Sequence, residues 1–120
     1  MDITTIGIVG MGPRGLNLLE RIISAVNSEL NTKVNLLIFE PCLPGSGCHN
    51  IKQPDYLLAN TIAGQITMFA DRSVKNIENM IEGPTFYQWL CDKSLSIPDL
   101  SPVDSDAYYS RQLLGEYLSI

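Results

Sequence analysis

Three glycines in the run Gly10-Met11-Gly12-Pro13-Arg14-Gly15 follow the apolar stretch Ile6-Gly7-Ile8-Val9 and precede a helical pattern. Glycines at this spacing, between a strand and a helix, suit a backbone that must approach a pyrophosphate closely. Gly10 permits a sharp turn out of the strand. Gly12 lacks the Cβ that would hold phosphates off the backbone, and Gly15 lets the helix pack tightly on the strand. The helix start adds N–H groups without intrahelical acceptors and the positive end of the helix dipole. Pro13 fits the same scheme, because a first-turn proline gives up an N–H that has no helical partner and presets φ. Met11 and Arg14 lie between the glycines and are counted with them as binding residues.

An acid downstream completes the pattern. Leu16, Leu19, Ile22, Ile23, Val26 and Leu30 recur at steps of three and four, as one buried helix face requires. Asn17, Glu20, Arg21, Ser24, Asn27 and Glu29 fall on the other, polar side. Asn31-Thr32 ends the helix, and Val34 to Phe39 is a nearly continuous apolar run. Such a run predicts a parallel strand covered on both faces. The unit from Ile3 to Glu40 therefore reads as strand, crossover helix, strand. Glu40 stands at the end of the second strand, where a carboxylate can accept from the hydroxyls of an adenosine ribose. It follows Gly15 at slightly more than the usual ~20 residues, as a long helix would cause. The alternative is a solvated strand-end acid. In the ribose role its charge would repel a 2′-phosphate, favouring FAD or NAD over NADP.

The chain from Pro41 to Asn50 holds Pro44, Gly45 and Gly47 and reads as a loop. Its small residues and N–H groups either close over the same ligand or merely serve turns. Pro41 and Gly47 join the binding candidates on the first reading. Between Tyr56 and Phe69, the polar residues Asn60, Thr61, Gln65 and Thr67 either meet a heterocycle edge or cap turns. Asp71 to Glu82 reads as a surface connection with room for a short helix. Gly83-Pro84-Thr85 introduces a helix at Phe86 in which Trp89 belongs to the core. Lys93 to Ser105 is a loop, and Tyr108 to Ile120 returns to a helical pattern that buries Leu113, Leu114, Tyr117 and Leu118.

Other chemistry finds little support. Cys42, Cys48, Cys91 and the lone His49 match no zinc spacing, so no metal is expected, and an odd cysteine count argues against a disulfide framework. Ser46 and Ser110 lack a plausible base, and no Gly-Lys-Ser/Thr follows the glycine turn. No residue is assigned a catalytic role. The 120 residues carry a formal charge of −5 with eight scattered Lys and Arg, which excludes nucleic acid and anionic membranes as partners. The first residues lack a cationic segment leading into an apolar core, and no apolar stretch approaches the ~18 residues of a membrane span. A soluble, cytoplasmic protein is expected.

Together these residues resemble the N-terminal part of the FAD/NAD(P)-binding flavoprotein domain family. The resemblance runs from the glycine turn through Phe39-Glu40-Pro41 and Pro44-Gly45-Ser46-Gly47 to Leu57-Leu58-Ala59-Asn60-Thr61 and Gln65-Ile66-Thr67-Met68-Phe69. It continues through Gly83 to Leu90 and Arg111 to Leu118, and so covers nearly the whole chain in order. It implies an α/β, Rossmann-like three-layer fold with a parallel sheet, incomplete here, over residues 1–120. It also implies an FAD site at Gly10 to Gly15 and Glu40, distantly like that of N-hydroxylating flavin monooxygenases. No second G-x-G-x-x-G follows Gly15, and the last helical pattern reaches Ile120 without a cap. The chain thus reads as the N-terminal piece of a larger flavoprotein, a truncation or half of a split enzyme. It is expected to expose apolar surface, to self-associate or depend on a partner subunit, and to lack turnover alone. The competing reading is a non-catalytic module that binds NAD.

Overall fold

The computed structural model describes residues 2–29, 31–77 and 79–120. Strand β1 (Ile3–Val9), helix α1 (Pro13–Asn27) and strand β2 (Lys33–Phe39) form the first unit. The strands pair in parallel, from Ile3 opposite Lys33 to Val9 opposite Phe39. Parallel neighbours need a long crossover, and α1 provides it. Leu30, expected on the apolar face of this helix, lies outside the described residues. The helix ends at Asn27, where the Ser28 hydroxyl donates to the Ala25 carbonyl at 2.6 Å.

The two faces of the sheet differ. Ile6, Ile8, Val34 and Leu36 alternate along one face and are buried or half-buried, with Ile38 at the end of that face partly open to solvent. On the other face, Val9 is 88% and Phe39 57% exposed, with Ile3 and Leu37 also open to solvent. The apolar run of β2 is therefore covered on one face, not both, because no other described segment reaches the second.

The polar side of α1 needs a larger correction. Glu20, expected in solvent, is 7% exposed, and Ser24 is buried beside it, while Leu18 is exposed. The segment leading to α2 lies against this side of the helix. Glu20 accepts from Arg21 at 2.6 Å, from the Ser24 hydroxyl at 2.8 Å and from the Ile81 N–H at 3.3 Å. Arg21 in turn donates to the Asn79 carbonyl. The Arg21 guanidinium, above all, holds the Glu20 carboxyl below its usual range, against the opposing effect of burial.

Beyond β2 the chain is irregular, with a 3-10 turn at Ala63–Gln65, until helix α2 (Phe86–Ser94). The described part of Asp71–Glu82 contains no helix. Thr85 caps α2 reciprocally with Gln88, each side chain accepting from the other's N–H. The stretch expected as a loop from Lys93 contains the last two residues of α2 and a 3-10 turn at Pro98–Leu100. Helix α3 (Arg111–Leu118) starts later than its pattern suggested, with the Ser110 hydroxyl accepting from the Leu113 N–H. An antiparallel bridge between Leu58 and Ser110 ties the two halves of this second unit, with Ala59 donating to the Tyr109 carbonyl.

The main core lies here, among Ala59, Ala63, Phe86, Leu90, Leu114, Tyr117 and Leu118. Trp89 packs against it, stacked on Phe86 at 6.1 Å, with the Lys93 ammonium 4.9 Å from its ring. Tyr117 is fully buried, yet its hydroxyl is satisfied. It accepts from the Met68 N–H and donates to the Pro84 carbonyl.

Candidate dinucleotide site

The glycine turn joins the end of β1 to the start of α1. Gly10 has φ +86°, a left-handed conformation that glycine adopts without a Cβ penalty, and its N–H donates to the Phe39 carbonyl at 2.9 Å. A Cβ on Gly15 would stand 2.4 Å from the Gly10 carbonyl oxygen, so helix and strand approach this closely only with glycine. Pro13 opens the helix. The N–H groups of Arg14 and Gly15 have no acceptor among the described residues, as the first turn of a helix dictates. Arg14 is exposed there.

Glu40 lies against this turn. Its Oε2 accepts from the Met11 N–H at 2.5 Å and its Oε1 from the Cys42 N–H at 3.1 Å, across the exposed Pro41. The acid at the end of β2 is thus beside the glycine turn, as the motif spacing suggested. Met11, between the first two glycines, is 1% exposed.

The loop after Glu40 folds over the turn from the other side. Gly45 donates to the Met11 carbonyl at 2.5 Å, and Gly47 backs directly onto Gly12 and Pro13. A Cβ on Gly12 would lie 3.3 Å from Gly47 Cα, and one on Gly47 would lie 2.7 Å from Pro13 Cδ. The missing Cβ of Gly12 therefore gives room to this loop, a neighbour its motif did not announce. The side of Gly10 is open, with no heavy atom within 4 Å of a Cβ built there. Helix α3 holds the loop from behind. A Cβ on Gly115 would meet the His49 carbonyl oxygen at 1.7 Å, and one on Gly45 the Leu118 carbonyl oxygen at 1.8 Å. These two glycines were not singled out for their packing. The signal for Gly115 was a glycine inside a helical, apolar pattern, which points to a close backbone approach.

His49 is half-buried between these parts, and its Nδ1 is buried without a partner among the described residues. Burial, and then the charge of Arg111, lowers its pKa, so the imidazole is neutral near pH 7. A cavity of about 200 Å³ opens beside the first turn of α1, lined by Pro13, Asn17, His49, Thr67, Met68 and Leu118 among others. The Thr67 hydroxyl accepts from the Phe69 N–H and so caps a turn, whereas Asn60 and Gln65 are exposed. All three cysteines are free thiols. Among the described residues no helix is long and apolar enough to cross a membrane.

These features fit a dinucleotide. The helix start offers free N–H donors, the open side of Gly10 admits a ligand, and the Glu40 oxygens have lone pairs left after two N–H contacts. Comparison with known proteins points the same way. A family model described as FAD-NAD(P)-binding matches residues 7–120. The chain is 35% identical to the nitrosuccinic acid synthase of Aspergillus oryzae, over 94% of its own length and 17% of that protein's. It is 32% identical to the nitrosuccinate-forming L-aspartate N-monooxygenases of Streptomyces davaonensis and Streptomyces cremeus. Those matches cover 95% of this chain and 19% and 20% of the relatives. The chain thus spans about a fifth of the length of the relatives it matches. By the extent of the family match, it belongs to the FAD-NAD(P)-binding family.

Proposed function

We propose that residues 1–120 form the N-terminal, FAD-binding portion of a longer, cytoplasmic flavin-dependent monooxygenase. The observation that carries the reading is the meeting of Glu40 with the glycine turn at Met11, beside the unpaired N–H groups of Arg14 and Gly15. In this reading the pyrophosphate takes the helix start, with Gly10, Met11, Gly12, Pro13, Arg14 and Gly15 around it. Glu40 accepts from the adenosine ribose, and Pro41 and Gly47 bound the ligand from the loop. A negative Glu40 disfavours a 2′-phosphate, which leaves FAD or NAD. The redox chemistry would belong to the isoalloxazine ring of the bound FAD, while this chain supplies its position and electrostatics.

Two of the relatives are named for N-oxygenation of L-aspartate. Oxygenation at the nitrogen of an amino acid is the activity we infer for the whole protein, with L-aspartate the first substrate to test. The rest of that protein, or a partner subunit, would complete the site.

The absorbance spectrum of the purified protein tests the cofactor. A yellow preparation with a flavin spectrum, releasing FAD on denaturation, is the expected result. Binding of NAD with no affinity for FAD would replace this reading with a nicotinamide-binding module.

A further inference from the structure

We propose that Glu40 also acts in the ligand-free chain, where its carboxylate clamps the glycine turn into shape through the Met11 N–H. This rests on the reading of the turn as the dinucleotide site, and adds what Glu40 does for the protein to what it does for a ribose. The parallel strands end where Gly10 donates to the Phe39 carbonyl. At Gly10 the backbone swings into the left-handed region, and the next donor, Met11 N–H, is taken by Glu40 Oε2 at 2.5 Å. A side chain thus adds one more rung to the ladder. The Cys42 N–H fixes the other carboxylate oxygen, at 3.1 Å.

Met11 is held from its other side as well, since its carbonyl accepts from Gly45 at 2.5 Å and its side chain is buried. The glycines flanking it are the residues with most backbone freedom to lose. Holding Met11 at both backbone groups settles that freedom before a ligand arrives, which lowers the ordering cost of binding. The clamp leaves the acid able to serve a ribose. An ionised carboxylate offers about four lone-pair sites, of which the two N–H groups use two.

Labelling with [15N]methionine tests the clamp in the chain as it stands. The sequence has four methionines, and Met11→Leu identifies the Met11 amide signal. Hydrogen exchange of that amide is compared in the ligand-free parent, Glu40→Gln and Glu40→Ala. Glutamine keeps one acceptor oxygen for the Met11 N–H but turns its NH2 toward the Cys42 N–H. Exchange should therefore be slowest in the parent, intermediate in Glu40→Gln and at least tenfold faster than the parent in Glu40→Ala. Equal exchange in all three overturns the proposal. If Glu40→Ala does not fold, the protection of the Met11 amide in the ligand-free parent decides, since slow exchange is expected and exchange at the rate of an unstructured amide overturns the clamp.

Binding of 2′,3′-dideoxy-ADP, which has phosphates but no ribose hydroxyls, adds a readout of preorganisation. Both variants lack the same charge, so the clamp predicts roughly three- to tenfold tighter binding by Glu40→Gln than by Glu40→Ala, the size of one neutral hydrogen bond. Equal affinities contradict it. Titration of the parent with FAD and with NAD is read separately. A protected Met11 amide in a chain that binds neither would sink the dinucleotide reading and leave the clamp standing.

Discussion

Glu40 and Glu20 are both carboxylates on the first βαβ unit, and their surroundings give them different work. Glu40 is half-buried and accepts from two backbone N–H groups at the mouth of the glycine turn. Glu40→Ala should weaken FAD binding by roughly 1–3 kcal/mol, the range for hydrogen bonds to a charged group, and Glu40→Arg should improve tolerance of a 2′-phosphate. Titration of the folded variants with FAD and NADP measures both, and unchanged affinities would make Glu40 a mere strand-end acid. Glu20 is buried under the segment around Ile81, and Arg21 keeps its pKa low. A carboxyl with a lowered native pKa adds stability above its ordinary value of about 4.3 that is lost as pH falls through the lowered one. Thermal denaturation of the parent and Glu20→Gln should therefore show a stability gap at neutral pH, roughly 1–3 kcal/mol, that narrows under acid. A gap independent of pH would contradict the assignment.

The first strand, crossover helix and second strand are legible in the sequence, because the 3.6-residue period of α1 and the apolar runs on either side of it are local signals. Helices α2 and α3 were legible for the same reason, although the pattern at Tyr108 ran ahead of the true start of α3 at Arg111. The burial of Glu20 and Ser24 was not legible. It depends on a segment some sixty positions away in the chain (Ile81 bonds to Glu20 with a separation of 61), and a helical wheel cannot see it. The nearness of Glu40 to the turn followed from the motif, but the seating of Gly47 on Gly12 did not, since it depends on how α3 presses the loop forward. That arrangement makes a prediction of its own. Glycine to alanine inside a helix ordinarily stabilises by up to about 1 kcal/mol. Gly115→Ala should do the reverse, because its Cβ would meet the His49 carbonyl oxygen at 1.7 Å. Lower thermal stability together with weaker FAD binding is expected. A stabilised variant with full affinity would show that α3 does not position the loop.

At the scale of the whole molecule the chain is open. Its accessible surface is 8214 Å², against roughly 6450 Å² for a compact monomer of 13.3 kDa. Its radius of gyration is 16.2 Å where about 13.6 Å is usual for this length. Apolar side chains are open to solvent on the bare face of the sheet, at Val9, Leu37 and Phe39. Surface of this kind calls for cover, so the 120 residues alone should self-associate and should not turn over a nicotinamide donor. Sedimentation with an oxidase assay on FAD-loaded protein tests this, and a monomer oxidising NADH or NADPH at enzymatic rates would refute it. The central claim is that the glycine turn holds the pyrophosphate of FAD. A valine at position 12 would press on Gly47, whose Cα is only 3.3 Å from a Cβ there, and would fill the approach to the helix start. The most direct measurement is a fluorescence titration of FAD against the parent and Gly12→Val, each verified as folded by circular dichroism. Saturable binding by the parent and none by Gly12→Val is the result this account predicts. Equal affinity in both would remove the glycine turn from the site.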